Sequence, residues 1–106
     1  MINPMDIAHY SSFETLDIRV GTIVEAHIFE GVKNPAFKLS IDFGEKLGRL
    51  QSSAQLTEIY TKEKLINRQI LAVVNFPPKQ IANFMSQCLV LGVYTKEGVV
   101  LLLPND

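Results

Sequence analysis

Three successive strands are predicted within residues 18–51, which read IRVGTIVEAHIFEGVKNPAFKLSIDFGEKLGRLQ. Apolar and polar side chains alternate along 18–29, so this strand is expected to turn one face toward the core. That face comprises Ile18, Val20, Val24, Ala26 and Ile28. Twelve residues make a long strand, and Gly21 is where we expect a bulge or a sharp bend.

The second and third predicted strands follow across short turns. A loop over 30–35, marked by glycine, asparagine and proline, precedes a strand over 37–43. The alternation predicts an inward face of Phe37, Leu39, Ile41 and Phe43. A hairpin turn at 44–46 then leads to a third strand over 48–51.

Two capping boxes flank this three-stranded unit. Ser11 and Glu14 have the spacing of an N-cap and its returning carboxylate, which predicts a short helix ending near Asp17. Ser52 and Gln55 repeat the pattern and predict a second helix. Its buried face would carry Leu56, Ile59 and Tyr60.

The remaining strands come after a polar connection over 61–67. The apolar run 69–76 predicts a central strand, which the two prolines at 77–78 terminate. A last pair of strands is predicted over 87–94 and 99–103.

This order of elements predicts an all-β fold. Three meandering strands, a helix and two more strands form the five-stranded Greek-key barrel called the OB-fold, here with an added short N-terminal helix. An SH3-like barrel is the alternative, although it normally lacks a helix of this size between strands three and four. The length favours a single domain over 1–106.

Composition limits the class of protein. Residues 1–13 lack the basic start and apolar run of a signal peptide, and the weakly charged stretch 69–95 is interrupted by prolines and amides. With 47% hydrophobic residues, a net charge of −1 and a single cysteine, we expect a soluble cytoplasmic protein that does not insert into membranes.

The sequence offers no constellation for catalysis. His9 and His27 are the only histidines, and neither has cysteines or acids at metal-ligand spacing. Cys88 lies in an apolar run and is interpreted as a small core residue. We therefore expect a protein that is not an enzyme and that uses no metal or cofactor.

Charge is unevenly distributed along the chain. Residues 1–45 hold three basic and seven acidic side chains, a balance of −4, whereas 46–79 hold six basic and two acidic ones, a balance of +4. A basic middle can face an anionic partner, although an ordinary mixed surface gives the same count.

Lys79 is the best functional signal. It is the only charge between Gln69 and Thr95, it follows two rigid prolines, and apolar Ile81, Phe84 and Met85 come after it. A lysine on a stiff loop among aromatics suits base stacking with a phosphate contact. It suits an apolar peptide groove equally well, and the third interpretation is a loop that only covers the core.

Several segments resemble the tRNA-binding-domain family: 16–21 (LDIRVG), 51–55 (QSSAQ) and 72–78 (AVVNFPP). Segments 35–39 (PAFKL), 41–44 (IDFG) and 89–93 (LVLGV) are similar to the export-associated chaperones of that family. The resemblance implies an OB-fold without catalysis, a homodimer and tRNA binding. For the chaperone branch it also implies binding of unfolded exported preproteins or of the export machinery.

The resemblance also implies site residues, and an OB-fold binds nucleic acid on a strand face flanked by loops. The family's Asn-x-x-Pro-basic pattern falls on Asn75, Pro78 and Lys79, and its serines fall on Ser53 and Ser86. The strand face and its first loop add further basic residues. We therefore predict a tRNA site formed by Lys33, Lys38, Arg49, Ser53, Asn75, Lys79 and Ser86.

A second set of residues is predicted for apolar peptides: Phe76, Phe84 and Met85. Together with the 99–103 strand, these residues supply more apolar side chains than the interior of one small barrel needs. This excess favours a homodimer. The family often has basic residues where this chain has Leu50, Gln80 and Met85. The alternative hypothesis is therefore an apolar-peptide-binding chaperone or scaffold that has lost tRNA affinity.

Overall fold

The computed structural model describes residues 6–105, which form two short helices and nine strands. In chain order they are α1 (Tyr10–Glu14), β1 (Ile18–Phe29), β2 (Ala36–Asp42), β3 (Arg49–Ala54), α2 (Lys62–Leu65), β4 (Gln69–Val73), β5 (Lys79–Ile81), β6 (Phe84–Ser86), β7 (Leu89–Val90), β8 (Gly92–Thr95) and β9 (Gly98–Leu101). None of the helices in this part of the chain has the length and hydropathy needed to cross a membrane.

Five strands form one antiparallel sheet in the order β3-β2-β1-β4-β7, and β5–β6 and β8–β9 are separate hairpins. The sheet curls until β3 meets the segment before β7. There the Gln87 amide donates to the Gln51 carbonyl at 2.8 Å, and the Ser52 hydroxyl donates to the Cys88 carbonyl at 2.8 Å. The all-β, five-stranded OB-fold predicted from the sequence is confirmed.

A bulge in β1 changes which side chains point inward. Ile23 lies opposite Ile41 and Glu25 opposite Ser40, so Val24 is the extra residue. Before the bulge the buried side chain is Ile23, and after it Ala26, because one extra residue reverses the alternation. The predicted inward face is therefore wrong at Ile18 and Val20, which are 37% and 44% exposed. It is also wrong at Ile28, which is 60% exposed, whereas the next residue, Phe29, is buried. The predicted face of the second strand is confirmed, since Phe37, Leu39 and Ile41 are buried.

The second predicted capping box is wrong. Ser52 does not cap a helix but lies inside β3, where it is opposite Leu39 and only 1% exposed. Pairing with β2 satisfies the backbone that a helix would otherwise bond, and it extends β3 to Ala54. The helix before β4 is α2, which falls in the predicted polar connection and has Thr61 as its N-cap. Leu56 and Tyr60 are nevertheless buried in the core.

The N-terminal helix is present, but Ser11 is not its cap. The N-cap is His9, whose side chain makes no capping hydrogen bond, and Ser11 lies within α1. At the other end of the chain, the predicted strand over 87–94 is divided at Leu91. The Leu91 amide donates to the Leu71 carbonyl at 2.9 Å, and the Leu102 amide donates to the Leu91 carbonyl at 3.1 Å.

Candidate nucleic-acid interface

A cleft of about 380 Å³ opens between the end of β3, the loop after β4 and the β5–β6 hairpin. It brings together four of the predicted site residues, Ser53, Phe76, Lys79 and Ser86. Its other walls include Gln55, Ile81 and Leu89. Among the described residues that line it, Lys79 is the one charged side chain, and it forms no ion pair with any of them.

One face of the β5–β6 hairpin forms a wall of the cleft. Lys79 lies opposite Ser86, and Ile81 lies opposite Phe84, so these four side chains share one face. The turn passes through Ala82 with a φ of +53°. No strong sequence signal predicts this hairpin, because the turn has no glycine and each strand is only three residues long.

Polar contacts fix the hairpin against β3. The Ser53 backbone amide donates to the Ser86 hydroxyl at 3.1 Å, and the Gln51 side-chain amide donates to the Met85 carbonyl at 2.9 Å. The Ser53 hydroxyl has no hydrogen-bond partner within residues 6–105 and is half-buried beside the cleft. It is therefore free to donate to a bound ligand.

Lys38 lies next to this cleft, on the outer face of the sheet. It is the cross-strand partner of Ser53. Its Nζ is 4.6 Å from the centre of the Phe29 ring and 5.4 Å from that of Phe84, and the two rings meet edge to face. The aromatic faces hold the ammonium group in place by cation–π attraction.

Other predicted site residues lie apart from the cleft. Arg49 is four residues from Ser53 along β3, about 13 Å at the usual rise per residue. Lys33 is exposed in the β1–β2 loop. Met85 pairs with Gln80 on the opposite face of the hairpin and is 41% exposed, whereas Phe84 packs on Phe29.

Asn75 connects two parts of the chain. Its side-chain oxygen accepts from the Asp17 amide at 2.9 Å, and its side-chain nitrogen donates to the Thr15 carbonyl at 2.8 Å. These bonds anchor the segment between α1 and β1 to the end of β4. Next to this anchor, a hydrogen bond from Arg19 lowers the pKa of the Asp17 carboxyl.

Cys88 lines the cleft but has the properties of a core residue. It is 6% exposed, and burial raises the pKa of its thiol to about 11. The sulfur is therefore protonated near neutral pH and is a poor nucleophile. Within residues 6–105 no three histidine, cysteine or acidic side chains cluster closely enough to hold a metal ion.

Sequence reasoning did not assign Gln55 and Leu89 to the site. Leu89 is 49% exposed in the cleft although it belongs to a strongly apolar run. Hydropathy alone indicates a core position there. Leu89 belongs to β7, the last strand in the order of the sheet, which places it at the sheet edge.

Comparison with known proteins identifies similar chains. The family described as "Putative tRNA binding domain" matches residues 18–106. The crystal structure of the CsaA chaperone protein of Picrophilus torridus is 53% identical, with a TM-score of 0.91, and the match covers 94% of this chain and 92% of that one. The chaperone CsaA of Bacillus anthracis is 52% identical, with a TM-score of 0.86 and coverage of 94% and 91%.

A longer enzyme contains a similar segment. The methionine–tRNA ligase of Methanococcoides burtonii is 36% identical over 101 residues, which cover 94% of this chain and 14% of the ligase. The chain thus spans about one seventh of the length of the curated relatives it matches.

Proposed function

We propose that this chain, which belongs to the tRNA-binding domain family, is a non-catalytic module that binds tRNA at the cleft around Lys79. The observation that supports this most directly is the composition of the cleft. An unpaired lysine, two serine side chains and an exposed phenylalanine, Phe76, line one opening at the edge of an OB-fold. The ligase relatives act on tRNA by name, which supports the same ligand class.

Each side chain has a separate task in this proposal. Lys79 neutralises a backbone phosphate, and the Ser53 hydroxyl donates to a phosphate or ribose oxygen. Phe76 offers a ring on which an unpaired base stacks. Lys38 extends the positive surface along the sheet, with Lys33 in the adjacent loop. In this proposal Asn75 positions the N-terminal segment rather than contacting RNA, because both ends of its amide are engaged.

The test is a pair of charge reversals. Lys79→Glu is expected to weaken tRNA binding at low salt at least tenfold, whereas Lys64→Glu, on the exposed surface of α2, should have a much smaller effect. The unaltered protein should lose affinity with salt at a slope of about 0.7–0.9 per phosphate contact. Equal losses in the two variants would mean diffuse attraction without a site at the cleft.

A second candidate function is chaperone-like binding of apolar peptides, including exported preproteins, in the cytoplasm. The observation that favours it is apolar exposure at the cleft, where Phe76 and Leu89 are 45% and 49% exposed. The CsaA relatives are chaperones by name. We expect Leu89→Ser to weaken peptide capture at both low and high salt, while Ile28→Ser, which does not line the cleft and is more exposed, has no effect. Peptide capture that disappears with salt would contradict an apolar groove.

A further inference from the structure

A second cleft adjoins the first. It has a volume of about 370 Å³ and lies between the β1–β2 loop, the segment after β3 and the β8–β9 hairpin. Gln55 lines both clefts, so the two openings meet at that side chain. A ligand strand that follows Gln55 therefore contacts residues of both clefts.

Tyr94 is the aromatic residue that lines this second cleft. It is 78% exposed although it lies in a strand. It is the cross-strand partner of Val99, which also lines the cleft, whereas the neighbouring pair Val93 and Val100 points to the other face of the hairpin. The ring is open to water and does not belong to the hydrophobic core, so it is accessible to a ligand.

The hairpin that carries Tyr94 is rigid. The Thr95 hydroxyl donates to the Gly98 carbonyl at 2.7 Å and accepts from the Glu97 amide at 3.3 Å. Gly98 has a φ of +136°, and a Cβ there would lie 2.9 Å from the Cβ of Glu58. The turn is thus packed closely on the segment after β3, which reduces the backbone ordering that ligand binding requires.

The polar groups of this cleft suit a base rather than a phosphate. Lys96 and Glu58 carry opposite charges, and Asn34 and Gln55 add two amides, each with donors and an acceptor. A carboxylate repels a phosphate, but it accepts hydrogen bonds from the amino groups of bases. Mixed donors and acceptors around an open aromatic ring are the arrangement that reads unpaired nucleotides.

We propose that the second cleft binds an unpaired nucleobase of RNA, stacked on Tyr94, with Glu58, Asn34 and Gln55 at the edge of the base. The strand then continues past Gln55 to the phosphate and stacking contacts at Lys79. This inference rests on the proposed RNA-binding function and adds to it a site that reads single-stranded segments.

The test uses tRNA and an unstructured RNA oligomer with three variants. Tyr94→Ala should weaken binding of the oligomer about fivefold to a hundredfold, the range for loss of one stacked base, while Tyr94→Phe stays near the unaltered protein. Tyr10→Ala is the matched control, because Tyr10 is 74% exposed on α1. No charge is removed, so the salt slope of Tyr94→Ala should match that of the unaltered protein.

A second measurement reports stacking directly. The chain contains no tryptophan, so Tyr94→Trp introduces a single reporter, and its emission should be quenched as the oligomer binds. If the unaltered protein binds RNA and Tyr94→Ala binds equally well, the base site is wrong and the Lys79 proposal stands. If the unaltered protein binds no RNA at low salt, both proposals are wrong. If Tyr94→Ala loses only peptide capture, the cleft accepts peptide and the base site is also wrong.

Discussion

At the scale of single residues, a few side chains decide how the barrel closes. Ser52 is the clearest case, because its buried hydroxyl donates to the Cys88 carbonyl where β3 approaches β7. At this junction β3 and β7 do not form a continuous ladder of backbone hydrogen bonds. The serine hydroxyl supplies the Cys88 carbonyl with the hydrogen bond that a backbone amide would otherwise donate. One residue further along β3, the Ser53 backbone amide donates a hydrogen bond to the Ser86 hydroxyl.

The thiol of Cys88 gives a prediction at this scale. Burial raises its pKa to about 11, so at pH 8 only on the order of one thiol in a thousand is ionised. We expect alkylation by iodoacetamide to accelerate about tenfold per pH unit from pH 7 to pH 10, whereas an exposed thiol levels off near pH 9. Circular dichroism should show that the fold persists over this range. A plateau near pH 8.5 would contradict the burial argument.

The same shift sets the sign of a pH dependence. The folded thiol has a higher pKa than the unfolded one, so the folded state retains a proton that the unfolded state loses. The free energy of unfolding is therefore unaffected by this group below about pH 8.5 and falls as the pH rises from there toward 11.

At the scale of elements, β1 depends on a close approach at Gly21. A Cβ at this position would lie 2.6 Å from the Cγ2 of Ile41 and 2.7 Å from the ring of Phe43. Gly21→Ala should lower the free energy of unfolding by about 1–3 kcal/mol through overpacking. The loss should be smaller in a Phe43→Leu background, which removes the ring.

Gly31 is the control for this double-mutant cycle. It has a φ of +77° and open space around it, so Gly31→Ala costs only backbone strain. The loss of unfolding free energy caused by Gly31→Ala, measured by urea denaturation, should be the same with phenylalanine or leucine at position 43. If Gly21→Ala costs as much with leucine at position 43 as with phenylalanine, the contact with the ring is not the cause.

The elements also show how much the sequence predicts. The bounds of β1 and the buried face of β2 follow from local alternation, because those positions are set by hydropathy with a period of two. The pattern at Ser52 and Gln55 fits a helix cap and a strand equally well, and only pairing with β2 decides between them. The bulge at Val24 has no local signal.

The candidate site, too, can be predicted only in part, because local patterns do not reveal contacts between distant segments. The prolines and the lack of other charges mark the loop of Lys79 and Phe76 in the sequence, and both residues line the same cleft. The amide of Asn75 is engaged by backbone groups about 60 positions earlier in the chain, a contact that no local pattern reveals. Tyr94 is inconspicuous in an apolar run, and its exposure depends on how the β8–β9 hairpin packs.

At the scale of the whole molecule, the sheet leaves an apolar outer face. Ile18 lies opposite Val73, which lies opposite Leu89, so the three form a row across β1, β4 and β7. Val20 pairs with Leu71, whose amide donates to the Leu102 carbonyl and so brings the C-terminal segment to the same region. Ile18, Val20 and Leu102 are between 37% and 44% exposed, whereas Val73 is buried and Leu89 opens into the Lys79 cleft. Several exposed apolar side chains on one region of a sheet favour association.

We therefore expect a homodimer that buries Ile18, Val20 and Leu102 and leaves Leu89 open to the Lys79 cleft, with sedimentation at tens of micromolar giving about twice the 11.9 kDa of one chain. Val20→Lys places a charge in the apolar outer face and should give a folded monomer, because an unpaired charge is costly in an interface core. Ile28→Lys is the control: it lies at the other end of β1 and is 60% exposed, so the dimer should persist. An unaltered protein that sediments as a monomer would refute the dimer. Equal dissociation by the two variants would place the interface elsewhere, since only a surface that includes Val20 and excludes Ile28 distinguishes them.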